Sequence, residues 1–253
     1  MPLPGHSSMN LERLVSIMRR LRDPERGCSW DLEQNFATIA PYTIEEAYEV
    51  ADAIDRGDMA ALAEELGDLQ LQVVFHSQMA EELGLFTLDD VIAHICDKLE
   101  RRHPHIFSDS AENPGWDAIK AAERKSAADE SALAGVANAL PALDRAAKLQ
   151  RRAARTGFDW PDPSGPRAKI DEELTELDRE SDGDRQEEEL GDLLFSVVNL
   201  SRHLRINPEE ALRKANNKFE TRFRTIEKSP GFQGMSLEEK EELWRQAKLS
   251  QGD

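Results

Sequence analysis

Apolar residues recur every three or four positions along most of the chain, and this spacing is typical of amphipathic helices. Between residues 59 and 83, for example, Leu66, Leu69 and Val73 recur at helical spacing, and Gly84 follows as a helix terminator. No segment of useful length alternates between apolar and polar residues as a strand does. The pattern therefore predicts an all-α fold. The predicted helices span residues 11–21, 43–56, 59–83, 88–102, 140–154, 166–179, 184–204, 208–229 and 237–249.

An internal repeat organises these helices into two similar halves. The sequence E-E-x-x-E at residues 45–49 recurs at 172–176, and E-L-G-D-L at 65–69 recurs at 189–193. Features that recur in one order at a nearly constant offset predict a tandem duplication of a helical-bundle domain. We place the first helical domain at residues 9–125, a linker at 126–140 and the second helical domain at 141–250. Two further pairs recur in the same order: Lys98 and Arg102 match Lys218 and Arg222, and Trp116 and Lys120 match Trp244 and Lys248.

Each half carries two acidic motifs on consecutive predicted helices. Residues three or four positions apart share a helix face, so Glu46 and Glu49 project together, as Glu65 and Asp68 do on the next helix. The break at Gly57 allows the two helices to return antiparallel, which would bring the acids to one place. Bunched carboxylates repel one another unless a cation binds, and an all-oxygen cluster suits Mg²⁺ or Mn²⁺. The second half offers the matching acids Glu172, Glu173, Glu176, Glu189 and Asp192.

A solvated surface and a di-iron centre both fit the acidic motifs less well than a magnesium site does. A solvated surface is usual for a single E-E-x-x-E, but here the motif is paired with E-x-x-D and occurs twice. A di-iron centre needs E-x-x-H on each of two helices, and only Glu100 with His103 fits that pattern. The sequence also contains no glycine-rich phosphate-binding loop of the common types.

Basic and aromatic residues near the second acidic motif are candidate nucleotide contacts. Lys169 stands one turn before Glu173, and Lys218 and Arg222 share a helix face, so these cations could neutralise phosphate oxygens. Surface salt bridging is the alternative for each cation taken alone. Trp244 could stack on a base, and core packing is the equal alternative.

Charge and composition exclude several classes of protein. The net charge of −18 disfavours a general nucleic-acid-binding role, because phosphate backbones are repelled. The sequence contains no run of about 18 apolar residues, so it predicts no membrane span. The two cysteines form no disulfide framework, so we expect a cytoplasmic protein. Residues 1–135 hold 26 acidic and 12 basic residues, whereas residues 136–253 hold 24 and 20. This shift predicts different tasks for the two halves.

These residues and their surroundings resemble the MazG family of nucleoside triphosphate pyrophosphohydrolases. The resemblance covers about residues 9–250 and includes GCSWDLEQNFATIAPYTIEEAYEV, DKLERRHPHIF and ANNKFETRF. It implies a helical bundle that forms a homodimer, Mg²⁺ as cofactor, and hydrolysis of ribo- or deoxynucleoside triphosphates to the monophosphate and pyrophosphate.

The resemblance also implies roles for single residues. The metal ligands would be Glu172, Glu173, Glu176, Glu189 and Asp192 in the second half, and Glu45, Glu46, Glu49, Glu65 and Asp68 in the first. The nucleotide contacts would be Lys169, Glu172, Lys218, Arg222 and Trp244. A carboxylate not fully used by metal would orient or deprotonate the attacking water, and Glu172 and Glu173 are the candidates for this catalytic role.

The second half is predicted to be the main active unit. Tyr42 stands where the second half has Lys169, and Asp97 stands where it has Asn217, so the first half is less suited to a triphosphate. Two rival functions are a non-catalytic acidic helical module that binds a basic partner, and a pyrophosphohydrolase for a modified nucleotide.

Overall fold

The computed structural model describes residues 6–107, 129 and 131–250 of the chain. The chain divides between residues 120 and 121 into two compact units. Trp116 and Lys120 lie outside the described residues, as does part of the predicted linker at 126–140.

The first unit is helical, and its core forms between its first, third and fourth helices. A buried cluster of Met18, Ile39, Val74, Phe75 and Met79 holds these helices together. The helices are α1 (His6–Leu21), α2 (Ser29–Glu33), α3 (Phe36–Arg56), α4 (Met59–Glu82), α5 (Leu88–Arg102) and α6 (Pro104–Phe107).

The connection between α3 and α4 brings the first two acidic motifs together. Gly57 ends α3 with a left-handed backbone conformation (φ 67°), and the Asp58 side chain accepts hydrogen bonds from Ala60 N and Ala61 N at the start of α4. Because the connection is this short, α3 and α4 pack against each other as a helical hairpin.

The second unit repeats this hairpin. Its elements are α7 (Ala142–Ala154), α8 (Ser164–Arg179), α9 (Gly183–His203), α10 (Pro208–Ile226), a 3₁₀ helix (Phe232–Gly234) and α11 (Leu237–Ser250). Helices α8 and α9 pack together, and the Asp182 side chain caps the start of α9 by accepting from Asp184 N and Arg185 N. Helix α7 packs on α9, and α10 packs on α7, α9 and α11.

The all-α prediction is confirmed across the described ranges, in which no residue is assigned to a strand. Two helix starts differ clearly from the prediction, since α1 begins at His6 rather than at residue 11, and α3 begins at Phe36 rather than at residue 43. Asn35 and Thr38 form a reciprocal capping box at the start of α3, and that helix continues through Pro41. Among the described residues, no helix is both long and apolar enough to cross a membrane. The cytoplasmic location stays a prediction.

Candidate functional site

Three carboxylates meet where α8 packs against α9. Glu173 and Glu176 of α8 and Glu189 of α9 each offer one oxygen, and these oxygens lie within 4.8 Å of one another. Glu173 is only 2% exposed, whereas Glu176 and Glu189 are half-buried. Three converging carboxylate oxygens are a donor set that hard divalent cations prefer.

Lys169 compensates part of this negative charge. Its ammonium nitrogen lies 2.5 Å from Glu173 Oε1 and 3.0 Å from Glu172 Oε1. These hydrogen bonds, the one to Glu173 first, raise the pKa of Lys169 well above its usual range. The other oxygen of Glu173, Oε2, is buried and has no hydrogen-bond partner among the described residues. A buried carboxylate oxygen left in this state fits a metal ligand, because burying it unpaired costs free energy.

The electrostatic surroundings of Glu189 also favour a bound cation. Partial loss of hydration raises the pKa of Glu189, and the nearby charges of Glu176, Glu173 and Asp192 raise it further. A divalent cation would relieve this repulsion.

The first unit holds a matching group of acids between α3 and α4. Glu46, Glu49 and Glu65 each place one oxygen within 4.8 Å of the others. Loss of hydration is the largest cause that raises the pKa of Glu46 and of Glu65, followed by Asp68 for Glu46 and Glu49 for Glu65. These acids are less enclosed than those of the second unit, since Glu46 is half-buried and Glu49 is exposed.

A cavity of about 650 Å³ opens beside the acids of the second unit. Lys169, Glu173 and Asp192 form part of its wall, so the cavity adjoins the carboxylate cluster. Its volume lies within the range of about 300–1,000 Å³ that is typical of small-molecule sites. The remaining wall is mostly apolar and aromatic with a few polar groups: Leu133, Leu149, Gln150, Ala153, Gly157, Phe158, Asp159, Trp160, Phe195, Ser196, Asn199 and Arg202.

Most of this wall was not predicted from the sequence. Arg202 donates hydrogen bonds from Nε and Nη2 to Asn199 Oδ1 at 3.1 and 2.7 Å and forms an ion pair with Asp159. The Arg202 hydrogen bond is the largest cause that lowers the pKa of Asp159. The sequence does contain one indication of this wall, because the aromatic–Asp pair at residues 158–159 repeats the pair at 30–31.

Comparison with known proteins finds similar sequences for both units. The MazG nucleotide pyrophosphohydrolase domain matches residues 34–107 and 168–226, one segment in each unit. The nucleoside triphosphate pyrophosphohydrolase of Escherichia coli (strain K12) is 51% identical, with 96% of this chain and 98% of the relative covered. The nucleoside triphosphate pyrophosphohydrolase/pyrophosphatase MazG of Thermotoga maritima is 49% identical over 94% of this chain and 95% of the relative.

The chain belongs to the MazG family. The resemblance inferred from the sequence motifs is thereby confirmed, and the chain is an enzyme of this pyrophosphohydrolase family. A nucleoside triphosphate pyrophosphohydrolase of Mycobacterium tuberculosis is a more distant relative, at 34% identity over 69% of this chain and 53% of its own length.

The structure brings together three of the five MazG-like acids in each unit. Asp68 and Asp192 lie close enough to raise the pKa of Glu46 and Glu189, respectively, although they are outside the three-acid groups. Glu45 and Glu172 are exposed and are also outside these groups.

The other predicted MazG nucleotide contacts lie on α10 and α11 of the second unit. Arg222 is 5% exposed, and its guanidinium carbon lies 5.9 Å from the centre of the Trp244 ring. Phe219 also packs on Trp244, with ring centres 5.1 Å apart, and Lys218 is exposed. Among the described residues, none of Lys218, Arg222 and Trp244 lines the cavity. Their role in nucleotide binding stays a prediction.

Proposed function

We propose that this protein hydrolyses nucleoside triphosphates, ribo- and deoxy-, to the nucleoside monophosphate and pyrophosphate. The observation that carries the proposal is the buried Glu173, which belongs to a group of three carboxylates beside a cavity of small-molecule size and whose Oε2 has no hydrogen-bond partner among the described residues. The names of the relatives in E. coli and T. maritima support the same reaction.

Glu173, Glu176 and Glu189 would hold Mg²⁺ in the second unit, with Mn²⁺ as a substitute. The donor set fits, since all of the converging atoms are carboxylate oxygens and one buried oxygen lacks a partner among the described residues. When bound, the metal supplies charge neutralisation of the phosphate oxygens and a water of lowered pKa.

Glu172 and Glu173 take different parts in this proposal. Glu173 is buried in the cluster and is therefore the better ligand. Glu172 is exposed and lies outside the cluster, so it is the better candidate to accept a proton from the attacking water, and its contact with Lys169 would orient it. Lys169 lines the cavity and would place a positive charge against the triphosphate.

We assign the main activity to the second unit. Its cluster combines the buried Glu173 with the ammonium group of Lys169, whereas the first unit has the uncharged Tyr42 at the position that corresponds to Lys169. A triphosphate carries several negative charges, and the cation in the second unit reduces the repulsion that it meets.

Product analysis tests the proposal. We expect the wild-type protein with Mg²⁺ to convert nucleoside triphosphates to monophosphate and pyrophosphate, and Glu173→Ala to lose this turnover by at least about 100-fold. Glu46→Ala should retain it. Glu187→Ala is the matched control, because Glu187 is an exposed acid of α9 outside the cluster.

Other outcomes separate the rival functions. Turnover of modified nucleotides alone would favour the specialised pyrophosphohydrolase. Absence of any turnover, with basic peptides bound equally by wild type and Glu173→Ala, would favour the acidic interaction module.

We also propose that the chain forms a homodimer. Leu190, Leu194 and Val197 of α9 recur at helical spacing and are 41–50% exposed, so they form an apolar stripe on one helix face. Sedimentation analysis should give a dimer for the wild type and a monomer for Leu194→Lys. A monomeric wild type at micromolar concentration would contradict the proposal.

A further inference from the structure

We infer that the cavity beside the second carboxylate cluster binds the nucleoside part of the substrate, and that Gln150 distinguishes between bases by accepting a hydrogen bond from a base amino group. This inference rests on the proposed function, because it assigns a subsite to the same reaction. The base and the sugar would bind in the cavity, next to the proposed site for the metal ion and the phosphates.

The cavity lies directly beside the proposed metal site. Lys169, Glu173 and Asp192 form one part of its wall, and Glu173 is the most buried acid of the proposed metal site. A triphosphate held by this metal site and by Lys169 therefore has its nucleoside end within reach of the cavity. The cavity volume of about 650 Å³ leaves room for a base and a sugar.

The wall of the cavity offers aromatic rings on which a base could stack. Phe158 lines the cavity and is 82% exposed, which leaves a large apolar ring without cover. Gly157 precedes it with a left-handed backbone conformation (φ 87°), so the chain turns sharply at the end of α7 and presents Phe158 at the cavity rim. Trp160 lines the same cavity and is partly exposed. Flat aromatic rings of this kind stack on nucleobases.

The side-chain amide of Gln150 offers a hydrogen-bond acceptor in the wall of the cavity. Gln150 lines the cavity, and its Nε2 donates to the main-chain oxygen of Phe195 at 2.8 Å. A carbonyl oxygen can only accept, so this contact fixes the orientation of the amide and assigns the acceptor to Oε1. Oε1 is buried and has no hydrogen-bond partner among the described residues. An unpaired buried acceptor favours a ligand that supplies an N–H group.

Three other polar residues of the wall, Asp159, Asn199 and Arg202, are already paired with one another. Arg202 is held by Asn199 and Asp159, and His203 Nε2 lies 3.1 Å from Asp159 Oδ1. This network needs no ligand to satisfy its charges, and so it shapes the cavity instead of competing for the base.

The first unit shows what happens when these positions carry other residues. By the repeat offset, Arg22 corresponds to Gln150, and Phe75 corresponds to Asn199. The Arg22 guanidinium lies 5.5 Å from the centre of the buried Phe75 ring and also donates to the main-chain oxygen of Asp31. In the first unit these two positions thus hold a cation–π pair, whereas in the second they hold two polar side chains that line the cavity.

Binding of nucleoside monophosphates to the full-length protein tests the inference. We expect AMP to bind about tenfold more tightly than IMP, and CMP about tenfold more tightly than UMP, because each pair differs in an amino group that Gln150 Oε1 would accept from. Titration calorimetry measures these ratios without turnover. Gln150→Leu should reduce both ratios to below about threefold.

Three further variants complete the test. Gln150→Arg introduces the residue of the first unit and should weaken all four monophosphates by at least about tenfold. Arg151→Gln is the matched control, since Arg151 is the exposed neighbour on α7 and does not line the cavity. If the Gln150 variants fail to fold, as judged by circular dichroism, Trp160→Phe replaces them. In that case AMP should quench the wild-type tryptophan fluorescence, and Trp160→Phe should lose the quenching.

The outcomes distinguish the subsite from the proposed function. Normal triphosphate hydrolysis with unchanged ratios in Gln150→Leu would overturn the subsite and leave the proposed function standing. Absent hydrolysis with Gln150-dependent AMP binding would overturn the proposed reaction and support the nucleoside site. Ratios near one in the wild type would overturn the role of Gln150.

Discussion

At the scale of single residues, the most consequential pairing is that of Lys169 with the buried Glu173. The ammonium group lies 2.5 Å from Glu173 Oε1, and Glu173 Oε2 has no partner among the described residues. In the metal-free protein, the lysine is thus the cation that supports a carboxylate which is 2% exposed. Burial of an ionised carboxylate without any cation is strongly unfavourable.

Replacement of this lysine should destabilise the protein in a metal-dependent way. We expect Lys169→Met to lower the free energy of unfolding of the metal-free protein by about 1–3 kcal/mol, because a buried acceptor loses its charged partner. Mg²⁺ should restore more stability to this variant than to the wild type. Thermal unfolding in EDTA and in Mg²⁺ measures both effects. Lys169→Arg, which keeps the charge, is the control, and an equal loss with and without Mg²⁺ would argue against the metal site.

Asp159 provides a pH-dependent prediction at the same scale. The hydrogen bond from Arg202 lowers the pKa of Asp159 in the folded protein, and the charges of Arg202 and His203 lower it further. An acid with a lowered folded-state pKa stabilises the protein above its ordinary pKa of about 3.9, and that stability is lost as the pH falls through the folded value.

We therefore expect Asp159→Asn to be less stable than the wild type at pH 7, by about 1–2 kcal/mol. The difference should shrink as the pH falls below about 4. Urea unfolding between pH 5 and pH 3.5 measures it. A difference that grows as the pH falls over this range would refute the assigned sign.

At the scale of helices, the sequence predicted most elements because periodicity and helix terminators agree. The bounds of α5 match the prediction at both ends, and Gly57 separates α3 from α4 as expected. The start of α3 was missed because Pro41 is disfavoured inside a helix. The capping box between Asn35 and Thr38 offsets this by pairing the first free N–H groups of the helix.

Close packing between a loop and a helix was beyond sequence reasoning, and Gly165 shows it best. A Cβ atom at Gly165, in the first turn of α8, would lie 2.2 Å from Trp160 Cδ1. No periodicity reveals such a contact, because it joins residues of different elements through backbone geometry. The contact matters because Trp160 forms part of the cavity wall.

Gly165→Ala should displace the indole ring of Trp160. We expect a shift of the tryptophan emission and AMP binding weakened by at least about fivefold, because the cavity wall moves. Gly183→Ala is the matched control: Gly183 also stands in the first turn of a helix, and a Cβ atom there meets nothing within 4 Å. Unchanged emission and unchanged AMP binding in Gly165→Ala would contradict a wall held by this contact.

At the scale of the whole molecule, the repeat predicted two carboxylate clusters, and each unit contains one. It did not predict the cavity, because the wall residues Gln150 and Asn199 are ordinary polar residues until folding brings α7 and α9 together. The difference between the units was predicted from Tyr42 and Lys169. The structure adds a second difference, since Arg22 lies over Phe75 in the first unit.

The two clusters should therefore both bind metal but contribute differently to turnover. Both offer three carboxylate oxygens within 4.8 Å, so we expect the wild type to show two classes of Mn²⁺ site in an electron paramagnetic resonance titration. Glu46→Gln and Glu173→Gln should each remove one class. Only Glu173→Gln should abolish hydrolysis, because the proposed ligand Glu173 lines the cavity beside Lys169, whereas the cluster of the first unit has Tyr42 at the lysine position. Loss of hydrolysis in Glu46→Gln, with the second class of Mn²⁺ site intact, would transfer the main activity to the first unit.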